Sequence, residues 1–224
     1  MIGSMAPDFG YFFSYDASRQ VTHSFAGLFI FALPVGLLVW LFYVRILEKT
    51  TITLLPDAWH TRFARTGAVT PALIARASVA IVLGATTHVL WDAFTHRATF
   101  ATNAFPALLG PTPGLGWLPL YHFLHGLSSV VGLAILALWA RHLRRQPAKL
   151  LIRPFEISER ARIGAVRLLG LLSLLAALAY WLPHTHSRYD VQLFFAAVGL
   201  MSGFFVAWSG IAAWLWNGAR RSRR

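Results

Sequence analysis

The sequence predicts an all-α, polytopic membrane helix bundle of about five transmembrane helices, and three observations predict it. Apolar runs close to the ~20 residues that cross a hydrocarbon core recur along the chain. Only 12% of the residues are charged, against about 25% in soluble domains, while 57% are hydrophobic and mean hydropathy is +0.57. The 20 Lys and Arg gather between alternate apolar runs instead of marking one soluble segment.

The first run, 24–44, contains no charge, and the second, 71–95, carries Arg76 near one end and Asp92 near the other. The third covers 117–140, the fourth 163–182 with Arg167 at its start, and the fifth 191–216. Connections 45–70, 96–116 and 141–162 are long enough for extra structure; GPTPGLG at 110–116 reads as a turn-rich connection without phosphate-loop chemistry. With no internal repeat, and low complexity only in the basic tail, a single integral membrane domain over 1–224 is expected. The first two dozen residues lack a basic region followed by an apolar core and cleavage site, so insertion is expected to rely on the internal spans.

Lys and Arg are retained on the cytoplasmic side, which orients the spans. Fifteen of them lie in the connections after the first and third runs (Arg45, Lys49, Arg62, Arg65, and Arg141 through Arg162) and in the tail from Arg220. Only Arg19, Arg97 and Arg188 lie on the opposite side, so an outer N-terminus and a cytoplasmic C-terminus are expected. The +12 net charge is thereby a matter of topology, and nucleic acid is not an expected partner; the lipid bilayer is. The absence of cysteine excludes disulfides, zinc ribbons and thiol chemistry.

On this topology the ionisable residues sort by side. Glu48, Asp57, Glu156 and Glu159 fall in basic connections, where ion pairing accounts for them. Asp8, Asp16, Asp92 and Asp190 fall on the outer side with His23, His88, His96, His122, His125, His184 and His186, where cations are few. HVLWDAFTH at 88–96 sets His88, Asp92 and His96 on one helical stripe; neighbours one turn apart are near enough to share an ion, whereas His96 is too far along to share one with His88, and Asp92 could bridge two ions or pair with either histidine. His122 and His125 share a face of the next helix. A lone Asp or His near a helix end often only holds helices together, but a cluster of this size points to a polar functional site. Imidazole with carboxylate suits zinc, or alternatively manganese or iron.

GSMAPDF at 3–9, THS at 22–24, HVLWDAFTH at 88–96 and LYHFLHGLSS at 120–129, with VGLAILALW after it, resemble the landmarks of an uncharacterised bacterial membrane-protein family classed as a domain of unknown function. That family in turn is similar to membrane-bound, metal-dependent hydrolases regulated by the LexA repressor. More remotely, the H-x-x-x-D helix is similar to that of zinc-dependent phospholipase C and of all-helical single-strand nucleases. The resemblance implies Asp8, His23, His88 and Asp92, with His96 or His125, as the candidate ligands of a divalent metal. Such families carry a serine-histidine-proline further upstream, so it also implies a start upstream of this one or a missing ligand.

The leading expectation is a metal-dependent phosphoesterase acting on a lipid or prenyl phosphate at the outer face of the bacterial cytoplasmic membrane. His96 and His125 would serve as catalytic acid and base, and Arg97 would hold a phosphate oxygen. An ion-coupled transporter is the alternative from another class, since Asp and His within spans also mark ion paths; a non-catalytic metal-binding scaffold is a third. Phosphatidic-acid phosphatase and rhomboid-like readings fail on the letters, because neither P-S-G-H nor G-x-S-G is present. Substrate, number of ions and oligomeric state do not follow from the sequence.

Overall fold

The protein was analysed as a computed structural model that describes residues 1–12, 19–60, 62–63, 65–147 and 153–221. Five helices are long and apolar enough to cross a membrane: Phe25–Leu54, Pro71–Thr95, Leu120–Arg145, Glu159–His184 and Tyr189–Arg221. They are called the first to fifth spans below. The chain is a multi-pass, all-α membrane protein, and its described residues pack as two units.

The first unit takes its described residues from Met1–Gly10, Asp16–Leu38 and Thr70–Pro147. Thr70 caps the second span by accepting a hydrogen bond from the Leu73 amide at 3.2 Å, with Pro71 in the first turn, where its missing N–H costs nothing. Hydroxyls within the span, such as Thr86 and Thr95, donate to carbonyls one turn back and so need no other partner in an apolar setting. The first span starts under a Ser24 cap and runs as π-helix over Leu28–Ala32. Pro34 follows at once; it has no N–H to give to the preceding turn, and the wider winding accommodates its ring.

Three glycines draw this unit together. A Cβ on Gly3 would lie 2.5 Å from the Ile81 carbonyl oxygen, and one on Gly84 would lie 2.8 Å from the Ser4 nitrogen. The N-terminal helix Ile2–Met5 therefore lies backbone to backbone on the second span. A Cβ on Gly36 would meet the Ile81 side chain at 2.8 Å, which sets the first span equally close.

Most boundaries differ from the sequence reading by a few residues, and two of the differences have a visible cause. The third span begins at Leu120, because Leu115–Pro119 pairs antiparallel with Pro111–Thr112. Pro113 and Gly114 occupy the central turn positions, and Gly114 has φ 77°, which glycine adopts without penalty. The run expected to be plain connection is thus a short hairpin. The first span continues ten residues past Val44, to Leu54, carrying Arg45, Glu48 and Lys49 on the helix.

The second unit takes its described residues from Tyr11–Tyr15, Val39–Val69 and Ala148–Arg224. Its fourth and fifth spans pack through Gly199 and Gly203, where a Cβ would lie 2.5 Å from the Ala176 carbonyl oxygen and 2.5 Å from the Ala176 side chain. Beyond them, Leu54, Phe155, Ala165, Ile211 and Leu215 form an apolar cluster. The Arg153 guanidinium closes the end of the first span: it donates to the carbonyls of Thr53 and Leu55, the latter at 2.8 Å, and pairs with Asp57. Glu159 pairs with Arg162, as expected for acids in basic connections. Glu48 is held otherwise, buried and accepting the Thr66 amide at 2.7 Å.

Candidate metal centre

All six residues expected to bind metal or move protons lie in the first unit, at the ends of its helices. Each arrives for a local reason. Asp8 sits in the 3-10 helix Ala6–Phe12, which continues from the helix that Gly3 and Gly84 press onto the second span. His23 follows the helix Arg19–Thr22; a Cβ on Gly27 would lie 2.0 Å from the Val21 carbonyl oxygen, so this turn folds tightly against the start of the first span. His88 and Asp92 lie on the last turns of the second span.

Asp8 touches both histidines, with Oδ1 3.1 Å from His23 Nε2 and Oδ2 3.4 Å from His88 Nε2. Asp92 Oδ2 lies 3.5 Å and 3.7 Å from the same two nitrogens. These separations match those of groups around one ion, since ligands about 2.0–2.1 Å from a tetrahedral centre stand about 3.3–3.4 Å apart. The Asp8, His23 and His88 ligand atoms all lie within 4.8 Å of one another.

Of the two rings, His23 has its Nδ1 engaged by the Thr22 hydroxyl at 2.9 Å. Yet Nε2 of each ring is buried without a hydrogen bond, because its contacts with the carboxylates are close but not aligned as hydrogen bonds. A buried nitrogen left unpaired costs about 1–3 kcal/mol, and here two of them face one carboxylate. A ring with one nitrogen fixed by a donor or acceptor and the other open is the arrangement of a metal-binding histidine. The donor set fits a divalent metal. Burial pushes the Asp8 carboxyl up, but contact with His23 and His88 and their charge more than reverse this, holding it well below the usual carboxylate range.

The other members surround Asp92. His96 Nδ1 lies 3.5 Å from Asp92 Oδ1, and the His125 ring meets the His96 ring edge to face at 5.4 Å. His96 is the C-terminal cap of the second span; Ala98 then takes a left-handed φ of 57°, and Thr99 donates back to the Ala93 carbonyl. That turn fixes where His96 leaves the helix. Arg97 is exposed and makes no hydrogen bond or ion pair among the described residues.

Arg19 is the residue that sequence reasoning missed as part of the site. Its Nη2 donates to Asp92 Oδ2 at 2.6 Å, the shortest polar contact in the cluster. Thr22 also went unread as the support of His23. Other residues expected on the outer side have partners of their own or stand exposed. His184 stacks on Phe195 with ring centroids 3.4 Å apart, and Asp190 pairs with Arg188, both in the second unit. His122 is exposed beside Tyr121, and Asp16 lies outside the described residues.

Fold and site together define the class: a multi-pass, all-α membrane protein with a half-buried aspartate–histidine cluster where its helices end. The chain belongs to the family described as Domain of unknown function (DUF4184), which matches residues 1–212. No curated protein and no solved structure matches it.

Proposed function

We propose that the chain is a membrane-bound, metal-dependent hydrolase that cleaves a phosphoester, in a lipid or prenyl phosphate, at the outer face of the bacterial cytoplasmic membrane. One observation carries the reading: two buried histidine Nε2 atoms, without hydrogen bonds, beside one carboxylate. Asp8, His23 and His88 would hold the ion, with Asp92 within reach as a fourth ligand. Zinc is favoured by the two imidazoles and the separations, with manganese and iron as alternatives. When bound, such an ion lowers the pKa of water toward neutrality and stabilises charge on phosphate oxygens.

The protein's own part is positioning and proton movement. Asp92 turns Oδ2 to the ligand histidines and Oδ1 to His96, so His96 can take a proton from a nucleophilic water while the carboxylate steadies the imidazolium. His125, against the His96 ring, is the neighbour that can deliver a proton to the leaving oxygen. The location at helix ends suits a substrate whose phosphate lies at headgroup depth. The excess of Lys and Arg after the first and third spans and in the tail supports the outer side for this end.

Metal analysis of the detergent-purified protein tests the proposal, with His88→Ala and Asp92→Asn measured beside the wild type. Stoichiometric metal in the wild type, lost from His88→Ala and reduced in Asp92→Asn, is expected. A wild-type protein without metal, or phosphoesterase activity indifferent to chelation, would overturn it.

A further inference from the structure

We propose that Arg19 is the residue that binds the substrate's phosphate, in place of Arg97, and that it is released for this task when metal takes over Asp92. The inference rests on the metal-centre reading above. Arg19 donates through one nitrogen to Asp92 Oδ2, the oxygen that stands 3.5 Å and 3.7 Å from the two open histidine nitrogens. A cation and an incoming metal ion therefore compete for one oxygen. When the ion neutralises Asp92, the guanidinium loses its only ion-pair partner among the described residues.

What remains of Arg19 suits an oxyanion. A guanidinium carries five N–H donors in a planar fork that matches two oxygens of a phosphate, and among the described residues only Nη2 is engaged, by Asp92. Its side chain is 36% exposed and that of Asp8 42%, against 9% for His23 and 16% for Asp92, so Arg19 and Asp8 form the accessible rim above the more enclosed His23 and Asp92. Arg97 differs: it follows the second span as an exposed residue and forms no ion pair with Asp8 or Asp92. The ligand class is a phosphate monoester or free phosphate, bound by charge-assisted hydrogen bonds next to the metal.

Zinc content and calorimetric titration of the zinc-loaded, detergent-purified protein test this. Inorganic phosphate and a short-chain phosphatidic acid are the two probes, with Arg19→Ala, Arg19→Lys and Arg97→Ala as variants. Arg19→Ala should keep its zinc and bind the anion at least about tenfold more weakly, the loss expected when a charged hydrogen bond is removed. Arg19→Lys should recover part of that loss, and Arg97→Ala should stay within about twofold of the wild type, as an uninvolved surface change does. Binding of the phosphatidic acid alone would identify a lipid headgroup as the source of the phosphate, and binding of both probes a site that accepts either; both results support Arg19 if its variant is the weaker. Anion affinity unchanged in Arg19→Ala, no binding of either probe to zinc-loaded wild type, or zinc lost from Arg19→Ala would overturn the inference. Wild-type protein that takes up no zinc would instead overturn the metal reading beneath it.

Discussion

The Thr22 hydroxyl sits 2.9 Å from His23 Nδ1 and is itself buried, so the ring has one settled nitrogen and one open one. Thr22→Val keeps the shape of the side chain and removes that partner. Zinc affinity should then fall about 10–100-fold, the usual effect of losing an outer hydrogen bond to a ligand histidine, while the protein stays folded; competition against a chromophoric chelator measures it. His96 calls for the opposite result, because it borders Asp92 Oδ1 and is no part of the three-ligand set. His96→Gln should leave zinc content unchanged and lower phosphoester turnover by about 10²–10⁴-fold, the range for a lost acid–base group. A variant that loses metal and turnover together would make His96 a ligand instead. At this scale the sequence is informative where a helix does the spacing: His88, Asp92 and His96 lie one turn apart on any α-helix. Arg19 was illegible because a single arginine ahead of a span reads as one unit of loop charge. Its contact with Asp92 depends on a turn that Gly27 permits, and no periodicity reports that.

Helix packing in both units depends on absent side chains. Gly3 and Gly84 let the N-terminal helix rest on the second span, and Gly199 and Gly203 do the same for the fourth and fifth. Gly84→Val and Gly199→Val should each destabilise the protein by about 1–3 kcal/mol, since an added side chain must displace backbone. Unfolding in detergent measures both, but their effects on metal should differ. Gly84→Val moves the segment that carries Asp8 and should weaken zinc binding; Gly199→Val acts in the second unit and should leave it unaltered. Arg153→Ala offers a second control, because it strips the donor from the Thr53 and Leu55 carbonyls and from Asp57. It should cost about 2–3 kcal/mol, as for lost charged hydrogen bonds, with zinc content intact. The long apolar runs announced these helices plainly. Their ends were harder to read: strand pairing at 111–119 rests on a Pro-Gly turn inside what looked like loop, and the first span outlasts its apolar stretch because Glu48 finds the Thr66 amide instead of water.

For the whole chain, alternating loop charge leads to a topology that can be checked at its two ends. A fluorescent protein fused after Arg221 should mature in the cytoplasm, and alkaline phosphatase fused within the turn between Thr95 and Phe100 should be active outside; the reverse pattern would put the cluster on the cytoplasmic side. The chain contains no cysteine, so single cysteines introduced at exposed positions such as Arg97 can be labelled one at a time to confirm the assignment. The order of the cluster's residues along the chain has a consequence for biogenesis. Asp8 and His23 leave the ribosome before the first span, whereas His88 follows on the far end of the second, and domains assemble as they are synthesised, N-terminal parts first. The cluster cannot exist until that helical pair has been inserted and has folded back on its own leading segment. On the proposed metal reading, uptake would then have to wait for the second of the five spans but not for the last three, and a chain stalled with one span in the bilayer would offer the ion no more than two isolated side chains.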